Sequence, residues 1–279
     1  MADRASARMR VPDGARRVSP RIRVPDAALP WLSVAGVLVL FDVLPRIGVL
    51  PENHFPPISE TLVTLGEQLG EASFWEAVGN TLQGWALGLG IAAALAIPIG
   101  IVVGSSRLLY RATRGVIEFL RPIPSVALIP LAILIYGTGL QSKVFLAAFA
   151  SFWQLLVATL YGVQDVDPVA TDTARSFGFS RAQRLFRVTL PSAVPYIATG
   201  LRIASAVSLI LTVTAELVIG SAGLGQSINV ARQGGNVELM YALIISTGIL
   251  GVLLNGIFVR AERRVLRWHP SQRPGEAAA

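Results

Sequence analysis

Residues 77–106 read AVGNTLQGWALGLGIAAALAIPIGIVVGSS, an unbroken stretch without a single Asp, Glu, Lys, Arg or His. About 20 mostly apolar residues in a helix cross the roughly 30 Å hydrocarbon core of a bilayer, so this segment alone is long enough to span one. Working outward from it, apolar runs near residues 29–50, 80–104, 123–140, 143–163, 198–220 and 239–259 make six candidate spans. Of the 279 residues 53% are hydrophobic and only 15% charged, a balance that excludes an ordinary soluble domain. The expected fold is all-α: a polytopic membrane protein of six transmembrane helices occupying residues 26–268, between polar tails at 1–25 and 269–279 that read as disordered.

Basic residues give the orientation, because arginine-rich connections stay on the cytoplasmic side. They fall in four clusters: seven arginines from Arg4 to Arg23, then Arg107, Arg111, Arg114 and Arg121, then Arg175, Arg181, Arg184 and Arg187, and last Arg260, Arg263, Arg264, Arg267 and Arg273. Between residues 51 and 79 stand Glu52, Glu60, Glu67, Glu71 and Glu76 with no Lys or Arg. Both termini therefore face the cytoplasm. The net charge of +7 would suggest nucleic acid in a soluble protein, but basic clusters flanking spans point to the bilayer instead. A cleaved leader would need a small-residue site after Phe41, and none follows.

Chemistry is limited by what is missing. There is no cysteine, so there are no disulfides, thiolate nucleophiles or cysteine metal sites, and His54 and His269 lie at opposite ends of the chain. No catalytic or metal-binding set is expected. A phosphate-binding loop of the G-x-x-x-x-G-K-[ST] type needs lysine after glycine, whereas the one lysine, Lys143, follows Ser142. Gly84, Gly88, Gly100 and Gly104 sit inside an apolar span, where four-residue spacing lets helices approach closely.

The connection at residues 164–197 is too long for a turn and is patterned like folded protein. Asp167-Pro168 reads as an N-cap and first-turn proline. Val169, Thr173 and Phe177 recur on one face, Gly178 ends the helix, and Ser180 with Gln183 forms a capping box for a second. In that second helix Ala182, Leu185, Phe186 and Val188 make the apolar side, and Pro191 and Pro195 are expected to stop it before the fifth span. Such an apolar cytoplasmic face either lies among lipid headgroups or docks a soluble partner.

Asp172-Thr173-Ala174, then Gly178, then Val188-Thr189-Leu190-Pro191 resembles the EAA loop of binding-protein-dependent ABC importer permeases, with Asp for Glu, Thr for the first Ala and Val for Ile. Glu118 to Pro124, Ile129 to Leu134, Ser142 to Phe145, Gly162-Val163, Gly200 to Ile203, Ala215-Glu216 and Gly223-Leu224-Gly225 are similar to the nitrate, sulfonate and taurine branch over about residues 58–268. The resemblance implies a type I importer permease of the bacterial inner membrane. It implies a homodimer, two cytoplasmic ATP-binding subunits that hold the ATP and magnesium, and an extracytoplasmic solute-binding protein; no cofactor is expected in this chain. Asp172, Thr173, Ala174, Phe177, Gly178, Leu190 and Pro191 would form the ATPase-coupling lever, with residues 168–178 in a groove of the ATPase.

Candidates along the passage are fewer. Glu216 is an acid inside an apolar run, either a cargo contact or a structural partner for Thr212 or Thr214 on its own helix or for a group on a neighbouring helix. Arg202 reads as the cytoplasmic end of the fifth span, reaching for lipid phosphate or touching an anion. Asp42 is expected to pair with Arg46 at i+4, and the segment 51–79 reads either as an interfacial stretch anchored by Trp75 or as a rim for the binding protein that residues 220–238 would share. The resemblance implies as cargo a small, mostly anionic solute: a sulfonate, taurine, a nitrate-like ion or a related small organic molecule. Against this stand a secondary transporter using Glu216 as its coupling residue, a channel and a membrane enzyme. The first would need mid-membrane ion sites and an internal repeat, the second a repeated polar lining, the third a convergent acid–base or metal set.

Overall fold

The computed structural model describes residues 29–51 and 53–267, and the two expected tails, 1–25 and 269–279, lie outside the described residues. Helices follow one another as α1 Leu29–Arg46, α2 Ile58–Gln68, α3 Ala72–Gly104, α4 Arg107–Leu120, α5 Ile129–Tyr136, α6 Leu140–Gln164, α7 Pro168–Ser176, α8 Arg181–Arg184, α9 Leu190–Ile219, α10 Leu224–Gln233 and α11 Val237–Val265. No strand occurs among the described residues. Lipid leaves no water to satisfy an open backbone, and a helix satisfies its own.

The centre is α3, α6 and α9 in mutual contact, with Leu89, Ala96, Trp153, Leu155, Leu156 and Ala204 buried between them. Glycine makes this closeness available. A Cβ on Gly88 would stand 2.6 Å from that of Ala147, one on Gly100 2.7 Å from that of Thr159, and one on Gly104 2.9 Å from that of Val163. The spacing of small residues along α3 thus becomes a groove for α6. On the other flank Gly162 faces Tyr196 and Gly200 faces Ala158, which brings α9 equally near. Hydrogen bonds across these seams reach backbone carbonyls: Ser151 Oγ to Ala204 at 3.1 Å, Trp85 Nε1 to Ser205 at 3.0 Å, and Ser208 Oγ back to Trp85 at 3.1 Å.

Among the described residues four helices are long and apolar enough to cross a membrane: α3, α6, the run Arg181–Ile219 and α11. The expected third span, 123–140, departs from the sequence expectation. It is a 3-10 turn, Ser125–Leu128, followed by α5, and together they bend by 81° from α4. Eight residues of helix reach only about 12 Å, so α5 cannot cross alone. Pro122 and Pro124 break the chain between α4 and the turn, and Gly137 at φ +76° ends α5. Counting this bent pair as one broken span brings the total to five.

Pro191 and Pro195 differ from expectation too, since neither stops the second loop helix. Residues 185–189 widen into a π turn, and the chain runs on into α9, whose first turn holds Pro191. Leu190 N–H bonds the Leu185 carbonyl, five residues back, and that shift places the proline where a missing donor costs little.

Asp42 does pair with Arg46, at 3.3 Å, and also accepts from Ser59 N–H at 3.0 Å and Ser59 Oγ at 2.6 Å. It thereby fastens α1 to the first turn of α2. Trp75 is more than half exposed, and its Nε1 bonds the Leu69 carbonyl at 2.9 Å.

Gly88→Leu is expected to wedge α3 from α6, costing about 1–3 kcal/mol or more from overpacking, whereas Gly90→Leu meets open space. Thermal unfolding of the two variants in detergent checks this: equal midpoints would show that the close approach is not what holds the bundle.

Candidate functional site

Two places in the bundle combine unusual chemistry with defined geometry. The first is the 164–197 connection. Asp167 caps α7 by accepting from Val169 N–H at 2.8 Å, and Pro168 occupies the first turn. At the other end Gly178 has φ +76°, Gly178 N–H bonds the Arg175 carbonyl at 2.9 Å, and Phe179 N–H bonds that of Ala174 at 3.0 Å. That pair of bonds is a Schellman closure, which needs the left-handed residue that glycine supplies. Ser180 and Gln183 then form the expected box, at 2.8 and 3.2 Å.

The face this presents is unlike ordinary loop surface. Phe177 is 78% exposed, Val169 71% and Phe186 66%, while Ala174 is buried underneath. Asp172 and Arg175, 3.7 Å apart, are both exposed. Leu190 and Pro191 stand at the junction of the π turn with α9 and are half-buried. The seven expected lever residues therefore gather in one short helix, its glycine turn and the root of the helix that follows.

The second place is a buried ion pair that sequence reasoning saw only by half. Glu216 has no exposed surface, and its Oε1 lies 2.9 Å from Lys143 Nζ. The ammonium spends its other two donors on the carbonyls of Asn80, at 2.9 Å, and Ala222, at 2.7 Å. Glu216 Oε2 accepts from Thr81 Oγ1 at 2.8 Å and Gly225 N–H at 3.1 Å, and Thr81 Oγ1 accepts from Leu224 N–H at 2.9 Å. One carboxylate and one ammonium thus join α3, α6, α9 and the turn into α10.

Glycines shape the cage. A Cβ on Gly84 would touch the Lys143 stem at 2.9 Å, and one on Gly223 would collide with the Glu216 carboxylate. Neither Thr212 nor Thr214 is the partner of Glu216: each hydroxyl bonds the carbonyl four residues back in its own helix, at 2.8 and 2.7 Å. Lys143 was readable as the chain's one lysine, set in an apolar run opposite the one acid of the fifth span.

The three residues expected along the passage do not converge. Thr212 packs beside Gly84 and is buried with Glu216. Arg202 stands fourteen residues earlier on α9, about 21 Å along the axis at 1.5 Å per residue. It lies well inside the helix, not at its end, and its guanidinium meets Glu262 of α11 at 3.2 Å instead of turning to lipid. Thr199 donates to the same Glu262, at 3.0 Å.

Residues 96–267 match the family described as binding-protein-dependent transport system inner membrane component. The chain belongs to that family. Similar relatives include the taurine transport system permease protein of Escherichia coli (strain K12), 32% identical over 246 residues, 85% of this chain and 90% of that one. The nitrate import permease protein of Leptolyngbya laminosa is 32% identical over 193 residues, 69% of this chain and 68% of the relative. In shape the chain is similar to the inward-facing MetNI methionine ABC transporter, with a TM-score of 0.62 and 21% identity over 69% of this chain and 96% of that chain. It is thus a multi-pass inner-membrane permease subunit of an ABC importer, working with an ATP-binding subunit and a substrate-binding protein. ATP hydrolysis is the partner's.

Lys143→Met leaves a carboxylate buried without its cation and is expected to cost about 3–5 kcal/mol, whereas Lys143→Met with Glu216→Met is expected to recover most of it. A double-mutant cycle on detergent unfolding checks this; additive losses would show that the two groups are not coupled.

Proposed function

We propose that two copies of this permease form the passage above two cytoplasmic ATP-binding subunits, with an extracytoplasmic binding protein delivering solute from outside. Residues 26–268 act as one spanning unit, with both tails in the cytoplasm and the coupling loop at 164–197. ATP and magnesium are held by the partner. The cargo is a small solute bearing an oxyanion group, of the sulfonate, taurine or nitrate kind, a reading supported by relatives named for taurine and nitrate.

The observation that carries the mechanism is the exposed face of α7, with Val169 at its start and Phe177 at the Schellman turn that ends it. An aromatic ring left in water on a loop that also carries Arg175 and Arg181 is suited to a partner groove that takes the ring and pairs the guanidinium groups. Asp172, Thr173 and Ala174 set the face of α7, Gly178 sets the turn, and Leu190 with Pro191 pass the motion into α9. Because residues 181–219 form one run, displacement of the loop is delivered along the whole of α9. Glu216 and Thr212, enclosed at its far end, act as a scaffold that keeps the outer ends of the helices together, and Arg202 ties α9 to α11.

Gly178→Val forces a β-branched residue to φ +76°, a conformation costing roughly 1–2 kcal/mol. ATP-dependent uptake into proteoliposomes holding both subunits and the binding protein should fall to background, with membrane insertion unchanged. Uptake at the unmodified rate would remove the lever role. Uptake by the chain in liposomes lacking the ATP-binding subunit would remove the coupled mechanism altogether.

A further inference from the structure

Between α4 and the C-terminal half of α6 lies a crevice of about 430 Å³ that plays no part in the lever or the ion-pair cage. Its walls are two helix faces. Tyr110, Arg114 and Arg121 come from α4 and the residue that caps it, at i, i+4 and i+11, and Gln154 and Tyr161 come from α6 at i and i+7. Such spacings put each set on one side of its helix.

Charge is distributed unevenly in it. Arg114 is 2.6 Å from Glu118, one turn on, so those two neutralise each other. Arg121, in the same wall, has no carboxylate within ion-pairing distance among the described residues. The crevice therefore carries one unbalanced positive charge, with two amides, those of Gln154 and Gln164, and two phenols around it. Gln154 sits ten residues before the end of α6, which is about 15 Å along the axis. The cleft thus reaches well into a span, a depth at which polar side chains are costly and rarely idle.

We propose that this crevice binds an oxyanion group, with the Arg121 guanidinium as the principal contact and the Gln154 amide and Tyr161 hydroxyl completing it. A planar guanidinium offers parallel N–H donors that match two oxygens of a sulfonate, nitrate or phosphate, and the amide and phenol add donors without adding charge. The volume suits a small solute or one lipid headgroup. Where the anion is cargo, the assignment rests on the permease reading above and gives the passage a contact that Glu216 cannot provide. Where it is a lipid phosphate, the same residues hold it.

The test titrates the purified chain in detergent with methanesulfonate and, separately, with short-chain phosphatidylglycerol, reading bound ligand by native mass spectrometry. One or both should bind, and Arg121→Gln should weaken that binding at least tenfold while Arg121→Lys restores part of it. Arg111→Gln, on α4 but outside the crevice, should leave it unchanged. Gln154→Leu, expected to weaken binding several-fold, serves as a second variant should Arg121→Gln unfold. Selective loss of methanesulfonate binding assigns the site to solute, and selective loss of phosphatidylglycerol binding assigns it to lipid. Equal binding by the unmodified chain and both crevice variants, or binding of neither probe, overturns the proposal. ATP-dependent uptake by the unmodified complex is measured in parallel, so that the crevice can fail while the permease reading stands, and the reverse.

Discussion

Inside a bilayer, apolar contact between helices gives little, because lipid tails are as apolar as leucine. Cohesion has to come from what lipid cannot imitate: backbones close enough for dense contact, and polar groups that find one another. Both devices occur along α3, α6 and α9. The glycines of α3 let Ala147, Thr159 and Val163 approach to the limit of contact, and Lys143 with Glu216 closes one end of the same three helices. The two devices depend on each other, since Gly84 clears the path of the lysine stem and Gly223 clears room for the carboxylate. Without close approach, the ammonium would not reach two carbonyls and a carboxylate at once.

A fully paired cage stabilises differently from a patch of leucine. Desolvating both charges costs several kcal/mol per ion, which the attraction offsets only when the remaining donors and acceptors are also met. Here the ammonium meets three acceptors and the carboxylate three donors. Such a site favours one register of the helices over its neighbours, because sliding any of them by a turn leaves a charge unpaired.

Much of this was legible from residues alone. Span length and the absence of charge marked α3, α6, α9 and α11; Asp167 and Gly178 located α7 to within two residues, and the Ser180 and Gln183 pair located the start of α8 but not the end of its run. Small residues at four-residue spacing identified the packing face. What escaped has a common cause: the sequence shows periods and caps, while long-range partners are decided by tertiary approach. Glu216 was visible as a costly acid, but Lys143, seventy-three residues away, became its partner only when α6 docked beside α9. Arg202 found Glu262 on α11 in the same way. The prolines misled for a local reason, because a π turn absorbed Pro191 and a cluster at 122–130 broke a run that composition alone marked as one span.

The widened turn at residues 185–189 lets the loop pass into α9 without a joint. Continuity is not stiffness, however: the early part of that 39-residue run holds the π turn, Pro191 and Pro195, the features at which helices bend most readily. Beyond Pro195 the helix continues to Ile219, so Arg202 and Glu216 stand on one uninterrupted piece. The cage at its far end fastens that piece to α3 and α6. A motion entering at the loop would have to cross the bend-prone root of α9 before it met the part that the cage holds.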